Sequence, residues 1–153
     1  MSKNEILLKS LGDFFNDEKN FKELSDILAH NSGISLRNIE WFVTNYAKDR
    51  HTKFTTPTGS IIDVHIAYKS SLGGYSKKLF DPFCRTERIQ FKGLTTTVAQ
   101  LNFIRWCIRN GILDYIKIQL PRIHYQSRTL NIRNNKDTNC NSEPIEVQVI
   151  QGT

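Results

Sequence analysis

The sequence lacks a long hydrophobic run. No stretch of its 153 residues approaches the roughly 18 apolar residues that a transmembrane helix needs. The first five residues, Met1 to Glu5, hold an acid and a helix-start signal where a secretory signal peptide carries basic residues. We therefore expect a protein that is not secreted and has no membrane partner.

Cysteine is also scarce. Cys84, Cys107 and Cys140 are odd in number and have long, unrelated spacings, which suits reduced thiols in a cytosol-like compartment better than a disulfide framework. Cys84 lies among four basic residues, a setting that lowers the pKa of a thiol. No histidine or acid stands in a fixed relation to it, so the sequence gives little support for a catalytic role.

Enzyme motifs are missing as well. Gly73-Gly74 has neither the spacing nor the following Lys-Ser/Thr of a phosphate-binding loop, and no Gly-x-Gly-x-x-Gly or Gly-x-Ser-x-Gly occurs. The four histidines stand at no metal-ligand spacing from a cysteine or carboxylate. We therefore expect no catalytic activity, no cofactor and no bound metal.

Positive charge is abundant and unevenly distributed. The chain has a net charge of +6, but residues 1–50 hold seven Lys and Arg against eight Asp and Glu. Residues 51–92 hold seven against three, and residues 93–153 seven against four. Such a potential favours a polyanion, most often nucleic acid, or an acidic protein. The alternative is that the charge serves only solubility.

Hydrophobic periodicity predicts three helices in the first 50 residues, over 2–16, 20–30 and 35–50. Ser2 with Glu5 forms a capping box for the first helix, and Asn20 and Ser35 are suitable N-caps for the others. The inner face of the third helix consists of Ile39, Phe42, Val43 and Tyr46.

After the third helix, the spacing of the hydrophobic residues changes to the alternation that is typical of β-strands. Residues 53–56 and 61–68 flank the turn Pro57 to Ser60 and predict a β-hairpin, followed by a flexible loop over 70–75. Asp81-Pro82 marks a turn before a strand over 88–91 that Gly93 closes.

A strongly apolar helix follows. Thr97 and Gln100 form a capping box, and Gly111 stops the helix after Asn110. The apolar arc is so wide that this helix is expected to be central, with a polar stripe formed by Asn102, Arg105 and Arg109. A strand is predicted over residues 115–120.

These elements predict an α+β fold in which N-terminal helices pack on a small antiparallel sheet with one central helix. We expect a single domain over residues 1–125, with a helical part over 1–50 and a mixed part over 51–125. A mobile polar segment follows over 126–144, and residues 145–153 form a possible edge strand and the C-terminus.

The second and third helices match a helix-turn-helix pattern. Gly33 takes the place of the turn glycine, and Ala29 the small position at which the two helices would cross. The third helix would then expose Arg37, Trp41, Thr44 and Lys48 toward nucleic acid or a partner. The alternative is that any antiparallel helix pair matches so degenerate a pattern and that the rest of the chain covers Trp41.

A second candidate surface is the segment over residues 69–92. Its bases could neutralise phosphates and its aromatic rings could stack on nucleobases. The bases are Lys69, Lys77, Lys78, Arg85, Arg88 and Lys92, interleaved with Tyr68, Tyr75, Phe80, Phe83 and Phe91. The alternative is that the rings belong to the core and the bases form a solvated rim.

Three stretches resemble a family of small proteins from nucleocytoplasmic large DNA viruses, the giant viruses. They are ISLRNIEWFVTNY over residues 34–46, YKSSL with FDPFCR over 68–72 and 80–85, and TTVAQLNF over 96–103. The resemblance implies an infected cell or a virion as the setting. It implies no mechanism, and it does not reach beyond about Arg122.

The sequence therefore predicts a viral nucleic-acid-binding protein without catalytic activity, in the viral factory of the host cytoplasm or in the virion. The alternative is a virion or host-directed protein-interaction module whose basic face meets an acidic protein partner. The predicted contact residues are Lys69, Tyr75, Lys77, Lys78, Arg85 and Arg88, with Arg37, Trp41 and Lys48 as a secondary surface.

Overall fold

A computed structural model describes residues 3–29 and 33–119. In chain order the elements are α1 (Lys3–Phe14), α2 (Glu18–Leu28), α3 (Leu36–Trp41), a π-helical turn (Phe42–Tyr46), α4 (Ala47–Arg50), β1 (Lys53–Thr55), β2 (Ile61–Asp63), α5 (Val64–Tyr75), α6 (Lys77–Phe80), β3 (Ile89–Phe91), β4 (Leu94–Thr96) and α7 (Val98–Arg109). Residues 112–119 are also helical and are labelled α8. The expected α+β class is confirmed.

The small antiparallel sheet is present as two separate hairpins. In the first, β1 pairs with β2 and Phe54 lies opposite Ile62. In the second, β3 pairs with β4 and Gln90 lies opposite Thr95. The second hairpin turns at Lys92 and Gly93, both with positive φ (49° and 86°), which is the backbone of a tight two-residue connection.

Helix α7 is central, as the sequence predicts. It packs against α1, α2 and α6, and its residues Leu101, Phe103, Ile104 and Cys107 are buried. Thr97 caps it by accepting a hydrogen bond from the amide of Gln100 (3.1 Å). Gly111 follows the helix with φ 73°.

The predicted polar stripe on α7 is wrong at two of its three positions. Asn102 and Arg105 are only 1 % and 3 % exposed, and Arg109 alone is exposed. Asn102 is tolerated in the core because its amide donates to the carbonyl of Leu79 (2.9 Å) and its side-chain oxygen accepts from Arg105 (3.0 Å).

Of the three helix starts predicted in the first 50 residues, one is confirmed, one is wrong and one lies outside the described residues. Ser35 caps α3 in a reciprocal capping box with Asn38, as expected for a cap at Ser35. The N-cap of α2 is Asp17 and not Asn20, because the Asp17 carboxylate accepts from the amides of Lys19 and Asn20. The Asn20 side chain instead donates to the carbonyl of Phe14. The predicted Ser2 cap lies outside the described residues.

The strand predicted over residues 61–68 ends at Asp63, and the predicted loop over 70–75 is helical. Asp63 caps α5 by accepting from the amide of Ile66 (3.2 Å), so the β-branched run turns into a helix. Val64 and Tyr68 are buried at helical spacing, i and i+4. The local preference for a strand is overridden by the packing of this face.

The strand predicted over residues 115–120 is also wrong for the part that is described. Residues 112–119 are helical, and Ile112, Leu113 and Ile116 are buried on one face of that helix. The predictions for residues 126–144 and 145–153 lie outside the described residues.

Candidate nucleic-acid interface

The predicted basic segment is divided among three elements. Lys69 lies on α5, Lys77 and Lys78 lie on α6, and Arg85 and Arg88 lie in the loop over residues 81–88. All five side chains are exposed. Lys78 lines a groove together with two acids, Glu5 and Glu87, whereas Arg85 and Arg88 line different grooves.

The aromatic residues of this segment fall into two groups. Tyr68, Phe80 and Phe91 are buried in the core, as the alternative interpretation predicted for them. Tyr75 and Phe83 are 38 % and 41 % exposed. Tyr75 stacks on Phe80 with its ring centroid 5.8 Å away. Phe83 is therefore the more exposed ring next to the basic loop residues.

A local turn builds the loop over residues 81–88. The carboxylate of Asp81 accepts from the amide of Phe83 (2.9 Å), and the carbonyl of Asp81 accepts from the amide of Cys84 (3.1 Å). Pro82 is buried, and its carbonyl accepts from the Gln100 side chain on α7 (3.3 Å). The loop is thereby tied to the start of the central helix and presents Phe83 on the surface.

Arg37 joins this loop from α3. Its guanidinium carbon lies 4.9 Å from the centroid of the Phe83 ring, a cation–π contact. Arg37, Phe83 and Arg88 line one groove of about 420 Å³, and Phe83, Arg85 and Arg88 line an adjoining one of about 390 Å³. We call the combined surface of Arg37, Phe83, Arg85 and Arg88 the arginine groove.

The rest of the predicted secondary surface does not join the arginine groove. Trp41 is only half-exposed, packs against the core and lies 5.8 Å from the ring of Tyr46. Lys48 is exposed on α4. The predicted stripe assumed α-helical spacing, but the π-helical turn Phe42–Tyr46 inserts a wider turn between Trp41 and Lys48.

The helix-turn-helix interpretation fits at its turn and at the buried residues Ile39 and Phe42, but not at the helix crossing. Gly33 has φ 76°, the left-handed backbone that the turn requires. Ala29, however, is exposed, so it does not form the close helix crossing that the pattern needs. Helix α2 packs instead on α7.

The carboxyl group of Glu40, on the same helix as Arg37, interacts electrostatically with Arg37 and with Asp81. Burial raises the pKa of Glu40, and the negative charge of Asp81 raises it further, while Arg37 lowers it. Burial, together with the charges of Asp81 and Glu40, raises the pKa of Tyr68 to about 12. Arg37 of the arginine groove therefore has an electrostatic partner in Glu40.

Two free cysteines lie within the described residues. Cys84 is half-buried and lines the adjoining groove with Arg85. Cys107 is fully buried on α7, and burial raises the pKa of its thiol.

Across residues 3–29 and 33–119, no cluster of three His, Cys, Asp or Glu side chains is arranged to hold a metal ion. In the same residues no helix combines the length and apolarity needed to cross a bilayer.

Some residues of this surface were not singled out from the sequence. Gln100 lines both grooves and ties the loop to α7, and Thr95 on β4 lines the first groove. A polar residue at the third position of a capped helix is too common to signal a site. Phe83 was noticed only as one of several rings, although an aromatic residue inside the polar turn after Asp81-Pro82 is a usable signal.

The fold and this groove define a small α+β protein with an arginine-rich surface next to an exposed ring. A family model described as a family of unknown function, DUF7197, matches residues 1–151, and the chain belongs to this family. An uncharacterized protein of Acanthamoeba polyphaga mimivirus is 33 % identical over 156 residues, covering 94 % of this chain. The resemblance to a giant-virus family is thereby confirmed.

The relative is longer than this chain, which spans 60 % of its length. No solved structure matches the chain.

Proposed function

We propose that this viral-family protein binds nucleic acid without catalysing a reaction, and that the arginine groove is its main contact surface. The observation that carries the proposal is the exposed Phe83 ring, with the Arg37 guanidinium 4.9 Å from its centroid and Arg85 and Arg88 beside it. Cations that neutralise phosphates next to a ring that stacks on a base are the parts of a single-strand binding surface.

Exposed bases elsewhere on the chain extend the surface. Lys69, Lys77 and Lys78 are exposed and add to the positive potential that attracts a polyanion. Lys48 adds charge on α4, and Trp41 is partly exposed. These residues would contribute through counterion release and not through base contacts. The setting we propose for this activity is the viral factory or the virion.

The test is binding of the purified chain to short single-stranded and double-stranded DNA and RNA over a salt series. We expect the logarithm of the affinity to fall linearly with the logarithm of the salt concentration. The double variant Arg85→Ala/Arg88→Ala should reduce that slope by about two, at about one per lost phosphate contact. A charge-matched control, Lys19→Ala/Lys53→Ala, removes two exposed bases that do not line the arginine groove and should leave the slope nearly unchanged.

Phe83→Ala separates stacking from charge. Loss of base stacking costs about 1–3 kcal/mol per base, so the affinity for single strands should fall by roughly 5- to 150-fold with the salt slope unchanged. Duplex binding should change little. If Phe83→Ala and the double arginine variant both bound single strands as the unmodified chain does, the arginine groove would not be the interface.

A second candidate is an acidic protein partner bound at the same surface. The first groove is also lined by Ile27, Leu28 and Leu36, which suits an acidic segment carrying apolar side chains. This interaction predicts a shallow salt dependence and a large loss on removal of a buried anchor. A chain that bound no nucleic acid at low salt would favour this candidate.

A further inference from the structure

Arg105 is a buried cation whose hydrogen-bond partners are neutral. One guanidinium nitrogen, Nη1, donates to Ser10 Oγ (2.7 Å), and the other, Nη2, donates to Asn102 Oδ1 (3.0 Å). Tyr75 also interacts with it. Among residues 3–29 and 33–119, none of the ion pairs within 4.0 Å involves Arg105.

Within the described part of the chain, the positive charge of Arg105 therefore has no acidic partner in an ion pair. Burial lowers the pKa of Arg105, and the positive charge of Arg109, one helical turn away, lowers it further. A buried charge is costly unless it is paired. A guanidinium carries five N–H groups, so the contacts with Ser10 and Asn102 leave donors for another acceptor.

Arg105 lines a groove of about 450 Å³ between α1, the end of α5, α6 and α7. Ser10 and Tyr75 also line it, and its remaining walls are apolar or small: Ile6, Leu7, Gly74 and Leu79. Ile6 is 55 % exposed, so an apolar side chain is left in water at this groove. Among the residues that the structure describes, no Asp or Glu lines the groove. A volume of this size lies in the range of small-molecule sites, which run from about 300 to 1,000 Å³.

We propose that this groove binds a small molecule with one carboxylate on an apolar body. The carboxylate is held by Arg105 and Ser10, and the body lies against Ile6, Leu7 and Leu79. A single guanidinium matches one negative charge, whereas a dianion would keep an unpaired charge among apolar walls. The groove at Arg105 shares no lining residue with the arginine groove, so the two proposals can fail independently.

The experiment titrates the full chain with octanoate, followed by amide NMR shifts, and compares octanol and inorganic phosphate as probes. We expect saturable binding of octanoate with shifts at Ser10 and Gly74, about 10- to 100-fold weaker binding of octanol because the charge-assisted hydrogen bonds are lost, and no binding of phosphate. Equal affinities for octanoate and octanol, saturable binding of phosphate alone, or no saturable binding of octanoate would each overturn the proposal.

Two neighbouring glycines on α5 give a matched pair of variants. An added Cβ meets nothing within 4 Å at either Gly73 or Gly74, but only Gly74 lines the groove. Gly74→Leu should fill the groove and weaken octanoate binding about tenfold or more, while Gly73→Leu should bind as the unmodified chain does. Equal binding by the two variants would overturn the proposal.

Two substitutions of Arg105 itself form a second pair of variants. Arg105→Gln should lose about 10- to 100-fold in affinity for octanoate, and Arg105→Lys should recover part of that loss because it retains the charge. Undiminished binding by a folded Arg105→Gln variant contradicts the proposed role of the guanidinium. If Arg105→Gln does not fold, the Gly73 and Gly74 variants still decide the outcome.

Discussion

The loop over residues 81–88 and helix α7 carry the same three kinds of side chain in different surroundings. The loop presents Phe83, Cys84 and Arg85 at or near the surface, and α7 buries Phe103, Arg105 and Cys107. An exposed arginine keeps its hydration and can meet any phosphate that diffuses past, which suits a polyanion. A buried arginine is fixed by its neighbours and has lost its hydration, which suits one small anion of matching shape. The residue type alone therefore does not predict the ligand; its burial does.

The largest difference between the two regions is expected in the alkylation rates of their thiols, Cys84 and Cys107. Cys107 is buried and its pKa is raised, so it should react with iodoacetamide only when the chain opens, about a thousandfold or more slowly than Cys84. The measurement is the alkylation rate at each site by mass spectrometry, in a Cys140→Ser background. Comparable rates at Cys84 and Cys107 would mean that α7 is not the stable centre of the fold.

The next largest difference is expected in how much Phe103 and Phe83 contribute to the free energy of unfolding. Phe103→Ala removes a fully buried ring that contacts Phe80 and Trp106, and should lower the free energy of unfolding by about 3–5 kcal/mol. Phe83→Ala, on the exposed loop, should change it by less than about 1 kcal/mol. Urea denaturation of both variants measures this, and a similar loss in both would contradict the assignment of Phe83 to a surface.

Alanine substitution of the buried Arg105 should also lower the free energy of unfolding more than substitution of the exposed Arg88, but by a smaller margin than for the phenylalanines. Arg105→Ala leaves the buried side-chain oxygen of Asn102 without its donor and should cost about 1–3 kcal/mol of stability. Arg88→Ala should stay within about 0.5 kcal/mol because its side chain is exposed. Urea denaturation of both variants measures this, and an Arg105→Ala variant as stable as the unmodified chain would contradict a stabilising role of the Arg105 hydrogen bonds.

The smallest expected effect is a pH dependence of stability that comes from Glu40, which interacts with Arg37 of the arginine groove. Its pKa is raised in the folded chain by burial and by Asp81, so the folded state holds its proton more tightly than the unfolded state does. Stability should therefore fall as the pH rises from the ordinary value of 4.5 through the raised pKa.

Glu40→Gln tests this pH dependence. The variant should be more stable than the unmodified chain at pH 7 by less than about 1 kcal/mol, since water screens part of the interaction. At about pH 4 the two should agree more closely. Denaturation midpoints at both pH values measure the difference, and a variant that is less stable at pH 7 would contradict the predicted sign.

Local signals in the sequence located several elements correctly. Ser35 and Thr97 mark the starts of α3 and α7, Gly93 lies in the turn that ends the strand predicted over residues 88–91, and Gly111 ends α7. These predictions hold because caps and left-handed turns depend on contacts between residues a few positions apart. The strands predicted beyond Asp63 and over residues 115–120 failed because short β-branched and apolar runs fit a helix equally well when one face is buried.

The sequence by itself determined that the second part of the chain is basic, that residues 98–109 form a central helix and that the class is α+β. Only the tertiary structure decided which of the basic and aromatic residues share a surface. It brought Arg37 to Phe83 across 46 positions of sequence, covered Phe80 and Phe91, and buried Arg105 against Ser10, 95 positions away. The physical reason is that capping and periodicity are local, whereas burial depends on which distant elements pack together, and burial decides whether a charged or aromatic side chain meets water, a ligand or the core.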